Sequence, residues 1–198
     1  MLRNSILIIF VIFSTPAFAE TKTAIFAGGC FWCMEPPFDK VDGVSSTISG
    51  YINGHTKNPN YKQVSTGKTG HYEVLKITYD DTKVSYESLL DVLWKNIDPF
   101  DDRGQFCDKG PQYLSGIFYL DDAQKQAAEK SKSDLQNKLG ASHKLVTPIL
   151  AAEQFYAAED YHQNYYEKNP VRYKYYRYGC GRDKRLKEVN EIYQAAKK

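Results

Sequence analysis

The chain has 198 residues, of which 42% are hydrophobic and 14% aromatic. This length is typical of one domain with a sizeable core. Its 26 basic and 24 acidic residues leave a formal net charge of +2, so the charge balance favours neither a nucleic-acid partner nor an anionic membrane surface.

Residues 1–19 are predicted to be a secretory signal peptide. The apolar run "ILIIFVIF" follows a basic residue, and Ala17 and Ala19 form an A-x-A cleavage pattern before Glu20. The run is shorter than the roughly 20 apolar residues that a membrane-spanning helix needs, and the alternative is a buried N-terminal strand. We therefore expect residues 20–198 to form a single mature domain, exported and periplasmic, with no stable membrane anchor.

Hydrophobic periodicity predicts alternating strands and helices along this domain. The predicted elements are a strand over 23–27, a helix from Cys30 that Pro36 and Pro37 disturb and Gly43 ends, a strand over 44–52, a long loop over 51–72, a strand over 72–80, a helix from Ser85 to Pro99, a strand over 114–120, and an exposed helix over 121–140. A short strand and a tyrosine-rich helical segment follow, and "RDKRLK" indicates a solvated helix face. This order indicates an α/β (α+β) sandwich in which helices cover a mixed sheet.

The four cysteines are Cys30, Cys33, Cys107 and Cys180. In an exported protein an even number is compatible with one or two structural disulfides. The C-x-x-C pair could be a thioredoxin-like redox pair, half of a zinc site, or a single nucleophile with an incidental neighbour. The zinc interpretation is disfavoured because the sequence contains no second C-x-x-C or H-x-x-x-H pattern.

The "AGGCFWC" stretch places Cys30 at the predicted start of a helix, where amide N–H groups and the helix dipole favour a thiolate. Gly28 and Gly29 would allow a ligand to approach the backbone closely. Phe31 and Trp32 should project about 100° apart on the helix, so they either pack in the core or line an apolar pocket that suits a methyl group.

Two further segments carry polar side chains near predicted strands. The period of the 72–80 strand puts Glu73 on the apolar face with Leu75 and Ile77, either at a solvent-facing strand end or buried at the edge of the core. If Glu73 is buried, desolvation should raise its pKa and keep it available as an acid. The loop before the 114–120 strand offers Asp108 and Tyr113, although an aspartate there could simply form a turn.

The segments "GGCFWCMEPPF", "NPNYKQVSTGKTGHYEV", "QFCDKGPQYLSGIFY" and "EDYHQNYYEKNP" resemble, in the same order, the type A peptide methionine sulfoxide reductases. The resemblance covers about Ala24 to Pro170. It implies a ferredoxin-like core with added helices and reduction of the S epimer of protein-bound or free methionine sulfoxide. It further implies that the enzyme uses no metal or organic cofactor and takes electrons from a thioredoxin-like dithiol donor. We also expect a monomer.

The resemblance implies a role for each matching residue. Cys30 corresponds to the nucleophile that becomes a sulfenic acid, and Phe31 and Trp32 correspond to the pocket for the substrate methyl group. Glu73 corresponds to the acid near the sulfoxide oxygen, with Tyr61 and Tyr113 as its hydroxyl partners. Asp108 corresponds to a residue near the substrate main chain, and His162 lies in a segment that borders the site.

The chain departs from the family pattern in "KNPVRYKYYRYGCGRD", where the usual position of the resolving cysteine is lost. We predict that Cys180 replaces it, because this cysteine lies between two glycines in a segment with few signals of regular structure. Cys107 is the alternative. Cys33 is disfavoured because two cysteines one helical turn apart reach disulfide geometry only if that turn distorts. Two other functions stay open: a C-x-x-C thiol–disulfide oxidoreductase and a secreted, disulfide-stapled binding module.

Overall fold

The structure is a computed structural model that describes residues 21–196, so the predicted signal peptide lies outside the described residues. The strands are β1 (Thr21–Gly28), β2 (Val44–Ile52), β3 (Tyr72–Asp80), β4 (Gly104–Gln105), β5 (Asp108–Lys109), β6 (Ser115–Tyr119), β7 (Ile149–Ala151) and β8 (Tyr156–Ala157). The α-helices are α1 (Phe31–Asp39), α2 (Tyr61–Val64), α3 (Tyr86–Asn96), α4 (Asp122–Leu139), α5 (Tyr165–Lys168), α6 (Pro170–Gly179) and α7 (Arg182–Ala195).

Six strands form one mixed sheet in the order β7-β6-β1-β3-β2-β8. Strand β3 pairs antiparallel with both β1 and β2, so β1 and β2 run parallel on either side of it, joined through α1. Strand β7 pairs parallel with β6. This split β-α-β arrangement confirms the predicted α/β class and mixed sheet. Strands β4 and β5 form a separate hairpin beside the sheet.

Three helices, α1, α3 and α4, pack on one face of the sheet. The core there includes Phe26, Phe38, Leu75, Ile77, Leu89, Leu93 and Ile117. The opposite face carries a smaller cluster that contains Ile25, Val74 and Phe118, packed against Leu150 and Phe155. Helices therefore cover one face of the sheet and not both. No helix among residues 21–196 combines the length and apolar character needed to cross a membrane.

Several predicted bounds are confirmed. Strands β2 and β3 have the bounds predicted from the sequence, and Ser85 caps α3 by accepting a hydrogen bond from the Ser88 N–H. Helix α1, in contrast, continues through Pro36 and Pro37 and ends at Asp39 rather than near Gly43. The two prolines remove two N–H donors from the hydrogen-bond ladder of α1, and the helix ends two residues after them.

The segment before "RDKRLK" was predicted to have little regular structure, and this was wrong. It forms α6, and only Cys180 and Gly181 separate α6 from α7. Pro170 occupies the first turn of α6, where an N–H is not needed, and Gly181 takes a left-handed conformation (φ +69°) that allows the chain to turn between the helices. The "RDKRLK" segment is not wholly solvated either, because Arg182 is buried.

Candidate active site

Cys30 lies in the tight connection between β1 and α1. It is the N-cap residue of α1, with an extended backbone (φ −53°, ψ 119°), and only 7% of its surface is exposed. Gly29 before it has φ +79°, and a Cβ atom there would lie 2.6 Å from Cβ of Gln105. The glycines at 28 and 29 therefore permit close packing of protein against protein, and not the ligand approach that the sequence suggested.

The two cysteines of the C-x-x-C motif are free thiols, and the Cys30 thiol donates a hydrogen bond to Cys33. Burial raises the pKa of Cys30 well above its ordinary value. The hydrogen bond from Cys30, together with smaller contributions from Arg182 and Arg177, lowers the pKa of Cys33 to about 7 against the opposing effect of burial. The predicted ease of ionisation of Cys30 is thus wrong for this arrangement, because burial outweighs the helix N-terminus.

Glu73 lies inside the protein and not at a solvent-facing strand end. It is 1% exposed, and its Oε2 atom accepts a hydrogen bond from the Phe31 N–H at 3.1 Å. Burial raises the pKa of the carboxyl group well above its ordinary value, although the Phe31 hydrogen bond opposes this. Burial therefore favours the neutral acid form of Glu73, and Phe31, the residue that donates to it, directly follows Cys30 in the chain.

Aromatic rings form a wall beside the thiol. The His162 ring lies 5.0 Å from that of Phe31 and 5.6 Å from that of Trp32, between ring centroids. Trp32 Nε1 donates to His162 Nδ1 at 2.9 Å, and burial lowers the pKa of His162, so the imidazole is neutral with its proton on Nε2. Trp32 also stacks on Tyr165 at 3.6 Å. Phe31 and Trp32 thus line the site, and Phe31 is fully buried as well.

Two tyrosine hydroxyls, those of Tyr61 and Tyr113, form a hydrogen bond with each other. Burial, followed by the nearby Glu73, raises the pKa of Tyr61 to about 12 and raises that of Tyr113 as well. Glu159 fixes the start of α2 by accepting a hydrogen bond from the Tyr61 N–H at 2.8 Å. Both hydroxyls therefore stay protonated close to Glu73 and Cys30.

Asp108 contacts a residue that the sequence reasoning missed, Tyr176 of α6. The Tyr176 hydroxyl donates to Asp108 Oδ2 at 2.5 Å and lies within hydrogen-bonding reach of the Cys30 thiol. Burial raises the pKa of Asp108. The available signal was the tyrosine-rich run in "VRYKYYRYG", but nothing in that run distinguishes the tyrosine that faces the site.

Cys180 forms a disulfide with Cys107, at the junction of α6 and α7, so the predicted Cys30–Cys180 bond is absent from the arrangement that the structure shows. Its Sγ atom lies 3.8 Å from Asp108 Oδ2, which connects the disulfide to the Tyr176–Cys30 contact. Cys33 is no longer disfavoured as a partner of Cys30, because Cys30 is the N-cap residue with a non-helical backbone and no helical turn must distort. The identity of the resolving cysteine stays a prediction.

A buried thiol pair beside a neutral acid can deliver a sulfur nucleophile and a proton to one small polar group. Together with the aromatic wall and the split β-α-β fold, this chemistry defines a thiol-dependent reductase. The family model for peptide methionine sulfoxide reductase matches residues 22–193, and the chain belongs to this family. It is a peptide-methionine (S)-S-oxide reductase, as the sequence resemblance implied.

Individual relatives agree with this assignment. Peptide methionine sulfoxide reductase MsrA 2 of Caulobacter vibrioides is 48% identical over 178 residues, which cover 89% of this chain and 90% of the relative. The reduced form of Mxr1 from Saccharomyces cerevisiae is 35% identical, with a TM-score of 0.72 over 79% of this chain and 88% of that one. Mxr1 in complex with Trx2 is 25% identical, with a TM-score of 0.52 over 78% and 89% of the two chains.

Proposed function

We propose that Cys30 attacks the sulfoxide sulfur while Glu73 protonates the sulfoxide oxygen. The observation that carries this proposal is the contact between Glu73 Oε2 and the Phe31 N–H, which holds a neutral carboxyl group next to the nucleophile. The sulfoxide leaves as a thioether and its oxygen passes to Cys30 as a sulfenic acid; Glu73 gives one proton to that oxygen and regains one from the Cys30 thiol, so no net proton is consumed. The hydroxyls of Tyr61 and Tyr113 donate to the same oxygen.

The aromatic wall selects the substrate in this proposal. The rings of Phe31 and Trp32 receive the methyl group on sulfur, and the neutral His162 keeps Trp32 in place through the hydrogen bond to Trp32 Nε1. Asp108, held by Tyr176, lies at the rim and receives a main-chain N–H of the substrate. A free amino acid or an oxidised polypeptide could satisfy these contacts.

We further propose that Cys33 captures the sulfenic acid first. Cys33 already accepts a hydrogen bond from Cys30, and its lowered pKa supplies a thiolate near neutral pH. Condensation of the two groups forms a Cys30–Cys33 disulfide and releases one water molecule. Cys180 then acts in a second exchange: the reduced Cys107–Cys180 pair reduces Cys30–Cys33 and becomes the disulfide seen here.

A thioredoxin-like dithiol is the proposed reductant of the Cys107–Cys180 disulfide. Cys107 is exposed at the tip of the β4–β5 hairpin, whereas Cys30 and Cys33 are buried. An external protein therefore reaches the Cys107–Cys180 disulfide more easily than the Cys30–Cys33 pair. The solved complex of the yeast relative Mxr1 with Trx2 supports a partner of this kind.

The reaction is tested by supplying the S and R epimers of a methionine sulfoxide peptide with dithiothreitol as reductant. We expect turnover of the S epimer alone. Reduction of insulin disulfides serves as the contrast, since a C-x-x-C oxidoreductase would reduce insulin and leave both epimers unchanged. Turnover of insulin without turnover of the S epimer would contradict the proposed reaction.

The resolving step is tested by one turnover without reductant, followed by acid quenching and peptide mapping. The starting protein carries all four thiols reduced. Because one condensation and one subsequent disulfide exchange are proposed, we expect the Cys30–Cys33 disulfide at early times and Cys107–Cys180 later. An early Cys30–Cys180 disulfide would instead establish the direct capture by Cys180 that the sequence predicted.

We also propose that the enzyme is exported to the periplasm. The "ILIIFVIF" run with its A-x-A pattern supports this, and so does a disulfide between Cys107 and Cys180, since disulfides persist in oxidising compartments. N-terminal sequencing of the protein recovered from fractionated cells tests the proposal. A mature chain that starts at Glu20 in the periplasmic fraction is expected, and an uncleaved cytoplasmic chain would contradict it.

A further inference from the structure

Arg182, the first residue of α7, is a buried cation that the reaction described so far does not use. Arg182 is 1% exposed, and it is among the largest fully buried side chains of residues 21–196. Removing a guanidinium group from water is costly unless a negative charge accompanies it. None of the ion pairs formed among residues 21–196 includes Arg182.

The contacts of Arg182 place it against both ends of the thiol pair. Its Nη1 atom donates to the Gly28 carbonyl at 3.1 Å, two residues before Cys30, and its Nη2 atom lies 3.2 Å from Sδ of Met34, directly after Cys33. A second carbonyl, that of Asn96, accepts from Nη2 at 2.7 Å. All of these acceptors are neutral, so they hold the group in place without balancing its charge.

Among residues 21–196 no carboxylate forms a direct ion pair with Arg182, although Asp108 lies close enough for the guanidinium to oppose the rise in its pKa that burial causes. The Phe106 ring covers the guanidinium at 4.4 Å, and the Nε–H group is buried without a hydrogen-bond partner. Arg177, the other guanidinium near Cys33, differs because it is neutralised by Asp183 through three hydrogen bonds. The positive charge of Arg182 therefore acts on both Asp108 and the thiols without being neutralised by a direct ion pair in the described part of the chain.

We propose that Arg182 is a positioning residue whose charge stabilises the thiolate of the Cys30–Cys33 pair. The thiolate is then a counter-ion of this buried cation, beside the Asp108 carboxyl group, and it is the form that attacks a sulfenic acid. The lowered pKa of Cys33, to which Arg182 contributes, agrees with this assignment. A role of Arg182 in catalysis rests on the proposed capture of the sulfenic acid by Cys33. The effect of its charge on the thiolate does not depend on that proposal.

Other ionisable groups also face the thiols, and each must stay constant in the test. From β3, β5, α2, the turn before β6, and α6, these groups are Glu73, Asp108, Tyr61, Tyr113, Tyr173, Tyr176 and Arg177. The acids oppose a thiolate, the protonated tyrosine hydroxyls carry no charge and can donate to it, and Arg177 has its own carboxylate partner. Substitutions confined to Arg182 and Phe106 leave this set unchanged.

The experiment measures thiolate absorbance near 240 nm between about pH 5 and 9, with the Cys107–Cys180 disulfide intact so that only Cys30 and Cys33 titrate. An opposite charge within about 4–6 Å typically moves a pKa by one unit or more. Arg182→Gln should therefore leave roughly tenfold less thiolate at pH 6, whereas Arg182→Lys should stay close to wild type. The same titration in Cys33→Ser and Cys30→Ser backgrounds assigns the signal to one sulfur.

Arg185→Gln is the matched control, because Arg185 lies on the same helix and pairs with Asp98 at 2.7 Å without touching the thiol region. It should lower the melting temperature without moving the thiolate midpoint. A midpoint that is unchanged in Arg182→Gln, or shifted equally in Arg182→Lys, would overturn the proposal. Finding Cys30–Cys180 as the first disulfide would overturn only the role of Cys33 in resolution.

A second pair of variants tests the same charge while keeping Arg182 in place, in case Arg182→Gln does not fold. Phe106 has φ +55°, a conformation that asparagine and aspartate tolerate well. Phe106→Asp supplies the missing carboxylate and should reduce the thiolate fraction, while Phe106→Asn removes the same ring and should not. Equal thiolate midpoints in these two variants would refute the electrostatic role of Arg182.

Discussion

Glu35 gives the most quantitative prediction, because its surroundings penalise one ionisation state. The side chain is fully buried in α1, and its Oε1 atom accepts hydrogen bonds from the Ser49 hydroxyl at 3.1 Å and the Asn164 N–H at 3.2 Å. Its Oε2 atom is buried without a partner. Burial, against these hydrogen bonds, raises the pKa of Glu35 from an ordinary 4.5 to about 7.

The sign of the effect on stability follows from proton linkage. Below pH 4.5 both the folded and unfolded chains are protonated at Glu35, so this group adds no pH dependence. Between pH 4.5 and about 7 the unfolded chain releases the proton and the folded chain keeps it, so the free energy of unfolding falls by about 1.4 kcal/mol per pH unit. Above that range the penalty is constant, at about 3 kcal/mol.

Glu35→Gln should remove this penalty, because glutamine resembles the protonated acid and does not titrate. Urea denaturation at several pH values, with the disulfide intact, measures the free energy of unfolding of both proteins. The advantage of the variant should grow by about 3 kcal/mol between pH 4.5 and 8. Glu129→Gln, an exposed position on α4, is the control and should change little with pH. A Glu35→Gln difference that is independent of pH would refute the reasoning.

Three further predictions concern the thiols and the acid. Cys30→Ser should abolish sulfoxide reduction while Cys33→Ser keeps most of it with dithiothreitol, because Cys30 is the proposed nucleophile and dithiothreitol can capture its sulfenic acid in place of Cys33; equal loss in a steady-state assay would point to a C-x-x-C oxidoreductase. Glu73→Gln should slow the single-turnover reduction step by about 10²–10⁴-fold without lowering the melting temperature, and a ratio near one would exclude it as the acid. Cys180→Ser should still convert about one substrate per molecule but lose recycling by a thioredoxin-type donor; full recycling in that variant would remove Cys180 from the pathway.

The parts of the fold that were predictable are those in which local pattern and tertiary structure agree. The bounds of β2 and β3 follow from their period-2 alternation, and the cap at Ser85 follows from local hydrogen-bond chemistry. Cys30 and Glu73 were identified because a motif and an apolar strand face each single out one residue. Such signals lie within a few residues of each other along the chain.

The parts that were not predictable depend on contacts between distant segments. Tyr176 and Arg182 reach the site from α6 and α7, more than 140 residues after Cys30, and one lies among many tyrosines while the other lies in a charged run. The cysteine pairing is of the same kind, because four cysteines allow three connectivities and sequence spacing does not choose among them. Whether Cys33 can pair with Cys30 depends on whether Cys30 is the N-cap residue or lies in the first helical turn. A helix prediction from sequence does not distinguish these two positions.

The site holds a carboxylic acid and a thiol pair within one buried region. Glu73 is surrounded by a backbone N–H, tyrosine hydroxyls and the Asp108 carboxyl group, none of which is a cation, so burial keeps it neutral and able to donate a proton. The thiol pair experiences the same desolvation, but Arg182 contacts the residues on either side of it. Pushing the pKa values of neighbouring groups apart is the usual way in which one site supplies both an acid and a nucleophile. In this chain the guanidinium group of Arg182, which α7 places beside the thiol pair, accounts for the different ionisation of the thiols and Glu73 in our proposal.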